Sequence, residues 1–141
     1  MPSPTALTAR VQAVNFLARP FGADSFAGFW RYWNPVWSYY LAYFCYRPLR
    51  NRLPRPLAAF LTFVACGFVH DMPFVAGAFF AGGRRASFTL TAFFALTGCV
   101  VFLSEQWRIR LTGLPMPARW GAHCIALGGC YRTALFLTAP A

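Results

Sequence analysis

Leu57 to Gly83 reads LAAFLTFVACGFVHDMPFVAGAFFAGG, and its only strongly polar interruption is the pair His70-Asp71. The run is long enough for hydrocarbon, since about 20 apolar residues cross a bilayer core. A charged aspartate at mid-span costs roughly 2.5–3.5 kcal/mol on insertion scales. A chain that keeps such a pair is expected to line a cavity, a proton path or a reaction centre with it. The plainer alternative is a histidine hydrogen-bonded to a neighbouring backbone carbonyl. Gly67, Pro73 and Gly77 punctuate the run, and Pro73 predicts a kink just after His70, because proline lacks the N–H that a helix interior needs.

Outward from this run the pattern repeats. Ala86 to Ser104, ASFTLTAFFALTGCVVFLS, is uncharged and predicts one clean span; Trp120 to Thr138 is a weaker candidate, interrupted by His123 and Arg132. On the N-terminal side, Asp24-Ser25 offers a helix cap for the aromatic segment FAGFWRYW, which must end near Asn34 because Pro35 biases its predecessor away from the α region. Asn34-Pro35 is itself a helix start, with Asn a favoured N-cap and Pro suited to the first position. A second helix therefore runs PVWSYYLAYFCYR and stops before Pro48. At that length it is too short to span, and its Trp and Tyr residues suit the head-group level. The fold expected is an all-α integral membrane protein with two to three transmembrane helices and short interfacial helices. An N-terminal loop or amphipathic segment covers residues 1–24, with helix around Ala9 to Ala18. The membrane domain follows over 25–141, with interfacial helices in 25–47, a basic connector at 48–56 and spans near 57–81, 86–104 and 120–138.

Composition agrees. The 141 residues are 58% hydrophobic and 19% aromatic, with a mean hydropathy of +0.46, above the apolar share of ordinary soluble domains. All 13 basic residues are arginine, against Asp24, Asp71 and Glu105, for a formal charge of +10. Arginine with aromatics can grip nucleic acid, but here the arginines border the apolar runs: Arg47, Arg50, Arg52 and Arg55 before Leu57, Arg84-Arg85 before Ala86. That distribution excludes a nucleic-acid partner in favour of anionic lipid, and the positive-inside bias places the 47–55 connector on the cytoplasmic side of an inner or cytoplasmic membrane. The N-terminus lacks the apolar core of a cleaved signal peptide. Five cysteines at 45, 66, 99, 124 and 130 form no C-x-x-C pair, so neither a disulfide framework nor a metal site is expected. Cys66 and His70 are four apart and share a helix face, which makes a Cys-His nucleophile conceivable, although thiols in apolar surroundings are usually inert.

The ordered set Phe29-Trp30-Arg31-Tyr32-Trp33-Asn34-Pro35, a short aromatic helix ending in Tyr46-Arg47-Pro48-Leu49, a basic connector and a membrane histidine at 70 resembles the membrane-bound O-acyltransferase family. The resemblance covers about Phe26 to Phe74. It implies acyl transfer from a thioester, acyl-CoA or an acyl-carrier protein, to a hydroxyl, with no further cofactor. In that family a buried histidine is the catalytic base and an earlier Asn or His is a second essential residue; by motif position these are His70 and Asn34. Independently, burial in low dielectric disfavours imidazolium and so suits a base, and an Asn amide can orient the ring or donate to a developing oxyanion. An N-cap role explains Asn34 equally well. Trp30, Trp33 and Asp71 are candidate substrate contacts, with Trp30 and Trp33 also readable as interface anchors. Asp71, about 100° round the helix from His70, is expected to pair with an arginine or line the cavity. Arg47 and Arg50 could bind the donor's phosphates, with lipid anchoring the favoured role. His123 is expected to be structural. Family members are usually several times longer, and two or three spans do not enclose a reaction chamber. A homo-oligomer, a larger membrane partner, a fragment or an inactive remnant all remain open, and the alternative function is a non-enzymatic membrane subunit.

Overall fold

The computed structural model describes residues 16–80, 82 and 87–139, and every regular element among them is helical. The helix expected over Ala9 to Ala18 lies outside the described residues except for its last positions, which belong to a helical turn over 16–21. Helix α1 is Phe26–Tyr32. Ser25 starts it as the sequence indicates, its Oγ accepting from the Gly28 N–H at 3.1 Å. Helix α2, Pro35–Leu41, follows across Asn34, whose Oδ1 accepts from the Trp37 N–H at 3.2 Å. Asn34 sits at φ 45°, in the left-handed region that Asn tolerates better than most residues. That one residue lets α1 turn into α2 with no intervening loop.

The second helix does not stop before Pro48. It continues as a π-helical segment, Ala42–Tyr46, and then as α3, Arg47–Arg50. Pro48 supplies no N–H and its ring crowds the preceding turn. A widened π turn just ahead of it absorbs that conflict without ending the helix. Helical backbone therefore runs unbroken over 35–50, roughly 24 Å at 1.5 Å per residue.

Helix α4 is Arg55–Phe80, α5 is Thr89–Gln106 and α6 is Met116–Thr138. Their rises are roughly 39, 27 and 34 Å. Two of them, α4 and α5, are long and apolar enough to cross a membrane, and only 22% of each apolar window is buried inside the protein, unlike the core helix of a soluble domain. The start of α5 lies three residues later than the sequence suggests. Arg84-Arg85 lie outside the described residues. Pro73 is accommodated inside α4, which stays helical on both sides of it.

The register between α4 and α5 is fixed by small residues and one acid. A Cβ at Gly67 would lie 2.6 Å from both the Leu90 carbonyl oxygen and the Thr91 Cα, and one at Gly98 would lie 3.2 Å from Phe63 Cβ. Backbone approaches backbone there, as small residues permit in membrane helix pairs. With 67 beside 90–91 and 63 beside 98, the pair is antiparallel. Thr138 Oγ1 reaches Thr89 Oγ1 at 2.8 Å and Phe93 packs edge-on to Tyr131, so α6 returns antiparallel to α5. The α5 and α6 ends are thus level, and Met72 to Phe80 of α4 projects about 13 Å beyond them. Phe79 and Phe80 on that projection are 78% and 85% exposed.

The 35–50 helix runs antiparallel to α4, because only four residues join Arg50 to Arg55. At the other end of the hairpin, Ala23 and Asp24 sit at the base of α5 and α6: the Leu111 N–H donates to the Asp24 carbonyl and His123 Nε2 donates to the Ala23 carbonyl at 3.1 Å. His123 is buried and stacks on Phe26 and Phe29, the structural role expected of it. Arg119 ties the same region down by donating to three carbonyls, Leu114, Gly22 and Thr112. From this base α1 rises, turns at Asn34 and descends as α2. These segments are a helical hairpin laid along α4 and α5.

Candidate active site

A cavity of about 440 Å³ lies between the hairpin and the α4–α5 pair. Trp30, Trp33 and Asn34 line it from the hairpin, and His70 and Phe94 line it from α4 and α5. Its volume is in the range of ordinary ligand sites. His70 and Asn34, the two residues the resemblance implies as essential, both line this one space.

His70 Nδ1 lies 2.7 Å from the Cys66 carbonyl oxygen. A carbonyl only accepts, so Nδ1 carries the proton and, in a neutral ring, the lone pair belongs to Nε2. No described group occupies Nε2. The ring is held edge-on to Trp37 at 5.6 Å between centroids and tilted against Phe94 at 5.3 Å. Trp37 belongs to the first turn of α2, the turn whose N–H is capped by Asn34. The Asn34 cap therefore positions the indole that positions the imidazole. The plain alternative, a histidine bonded to a backbone carbonyl, and the open-base arrangement are here the same geometry.

Several expectations need correction. His70 is not buried by protein: it retains an exposed surface, because the cavity beside it is open. No hydrogen bond joins Asn34 to the imidazole: the Cys66 carbonyl holds Nδ1 directly, and Asn34 acts on the ring only through Trp37. With Oδ1 engaged by Trp37, the amide's Nδ2 is the group left to donate. The Cys66 thiol is 3.8 Å from Nδ1 and accepts from Trp37 Nε1 at 3.3 Å. Since the Nδ1 proton points to the backbone, this ring nitrogen is not a base for the thiol, and a Cys-His nucleophile does not form.

Among the described residues Asp71 pairs with no arginine, and it does not line the cavity. It is 2% exposed, and its carboxylate accepts from the Leu90 N–H at 3.1 Å, the Thr91 N–H at 2.7 Å and the Thr91 hydroxyl at 2.7 Å. These are first-turn donors of α5, which has no side-chain cap of its own. Asp71 is that cap, supplied from the neighbouring helix, and its negative charge suits the helix N-terminus. Arg47 and Arg50 also lie outside the cavity. Arg47 sits over the Tyr43 ring at 5.4 Å and Arg50 donates to the Leu53 carbonyl, on the outer side of the molecule. Trp30 and Trp33 do line it.

Arg31 is the lining residue that sequence reasoning passed over. Its signal was its position, three residues before Asn34 on a helix whose cavity face also carries Ala27 and Trp30. Among the described residues no three His, Cys, Asp or Glu side chains gather as a metal site. Comparison of the chain with protein-family models, curated proteins and solved structures gives no match.

Proposed function

We propose that this chain is an integral-membrane acyltransferase that moves an acyl group from a thioester to a hydroxyl, with His70 as general base. The observation that carries the reading is a ring that lines a cavity shared with Asn34, its Nδ1–H held by the Cys66 carbonyl and its Nε2 without a partner among the described residues. The hydroxyl gives its proton to Nε2 as its oxygen attacks the thioester carbonyl carbon. The carbonyl oxygen becomes an oxyanion, to which Asn34 Nδ2 donates. Collapse breaks the C–S bond, and the leaving thiolate takes the proton back from Nε2, so charge and protons balance. A base of this kind contributes about 10²–10⁴-fold. Lipid surrounds α4 and α5 in this reading, and the arginines from Arg47 to Arg55 face the cytoplasmic head groups of the inner membrane.

The test is transfer from a radiolabelled acyl-CoA by purified protein in nanodiscs. His70→Ala is expected to lose at least about a hundredfold in rate while inserting normally; wild-type turnover in that variant would overturn the assignment. The projecting, exposed Phe79 and Phe80 favour a second reading, a non-enzymatic subunit docked on a larger membrane protein. Co-purification with such a partner, and no transfer by the chain alone, would support it.

A further inference from the structure

The polar lining of the cavity is not scattered along it. Arg31 and Asn34 flank the α1–α2 turn, and Trp37 in the first turn of α2 rests on His70, so all three polar groups share one end. Along α4 the lining runs from His70 back to Ala59, roughly 16 Å by helical rise. At that far end it is formed by Leu41, Ala42, Tyr46 and Val101. Ser38 and Thr62, the hydroxyls between, already donate to the Trp33 and Ala58 carbonyls. The cavity is a slot with a largely apolar body and one cationic end, at Arg31.

Among the described residues Arg31 has no counter-ion. The three acidic side chains lie elsewhere: Asp71 caps α5, Glu105 pairs with Arg110 at 3.4 Å, and Asp24 lies at the base of the hairpin, accepting from Ser25. Among the described residues Arg31 makes neither an ion pair nor a side-chain hydrogen bond. His70 stands roughly 22 Å along α4 from Arg55, level with the first turn of α5, where Asp71 meets Leu90 and Thr91. An arginine that borders a cavity without a carboxylate of its own is fitted to hold an anionic group there.

We propose that the slot binds a single-chain amphiphile with an anionic head, the chain along α4 and α5 and the head on Arg31. This names the substrate class of the site proposed above and rests on that cavity being the substrate site. Guanidinium matches carboxylate and phosphate geometry alike, so the shared chemistry is the anionic head next to a hydrocarbon chain. Seating it there puts the polar end of the ligand beside Nε2 of His70, where a reacting group must be.

The experiment uses tryptophan fluorescence of the full chain in uncharged detergent, because Trp30, Trp33 and Trp37 line the slot. Dibromostearic acid and its methyl ester differ only in head charge, and bromine quenches indole on contact. The acid is expected to quench saturably at a concentration at least about tenfold lower than the ester. Arg31→Gln should erase that difference, Arg31→Lys should keep most of it, and Arg52→Gln, with the same loss of charge outside the slot, should leave it unchanged. Equal quenching by acid and ester in the wild type, or an unchanged ratio in Arg31→Gln, overturns the proposal. Displacement of the acid by dodecyl phosphate extends the site to phosphate heads, and failure to displace restricts it to carboxylates. Displacement by inorganic phosphate at the same concentration overturns it, since the chain would then play no part. His70→Ala separates the two readings: intact, Arg31-dependent quenching with no transfer by any variant retires acyl transfer and leaves the binding site standing. Transfer without acid–ester discrimination does the reverse.

Discussion

Asp71→Ala tests whether the buried acid holds the fold or serves the chemistry. The carboxylate is 2% exposed and receives three hydrogen bonds, two from backbone N–H groups of the α5 first turn. The Thr91 hydroxyl can rotate to another acceptor, whereas the Leu90 and Thr91 N–H groups have none within their own helix. A buried donor left unpaired costs about 1–3 kcal/mol; two partly buried ones put the loss near 2–4 kcal/mol. Asp71→Asn retains one oxygen for Leu90 but presents an NH₂ group to Thr91, so about half that loss is expected. Equilibrium unfolding in mixed dodecyl maltoside–SDS micelles, followed by far-ultraviolet circular dichroism, ranks the three proteins directly. Wild type should outlast Asp71→Asn, and Asp71→Asn should outlast Asp71→Ala. An alanine variant that unfolds with the wild type refutes the capping assignment. If that variant has also lost transfer, Asp71 belongs to the reaction and the geometry has been misread.

Gly67→Ala places a methyl 2.6 Å from two α5 backbone atoms; the helices must part, at about 1–3 kcal/mol by the same unfolding assay, and wild-type stability would mean that α4 and α5 do not cross there. Cys66→Ala removes the Trp37 Nε1 acceptor but leaves the backbone carbonyl that holds His70 Nδ1. Transfer should fall no more than about tenfold, the value of one hydrogen bond, and a drop to background would restore the thiol as nucleophile.

The local rules of the chain were legible without coordinates. Ser25 and Asn34 act as the caps their side chains suit, and the two apolar runs are helices close to the expected boundaries, because capping and hydrophobic length are set by neighbours in sequence. Pro48 was misread for the complementary reason. Proline forbids one hydrogen bond, but a π turn ahead of it satisfies that restriction, and packing of 35–50 along α4 rewards continuation. The place of Arg31 was only half legible: its spacing puts it on the helix face of Ala27 and Trp30, but whether that face borders a slot or water depends on how the hairpin packs on α4 and α5.

Sequence alone determined that this is a helical chain with two segments long and apolar enough for a bilayer, a basic connector before them, and a histidine and an acid embedded in the first. Tertiary structure decided what the two polar residues do. The carboxylate of Asp71 finds its partners 19 and 20 positions away, at the end of another helix, and the imidazole of His70 meets Trp37, which a left-handed Asn34 swings back along α4. Hydrogen bonds of that range depend on how helices cross, and helix crossing is set by where Gly67 and Gly98 let two backbones touch.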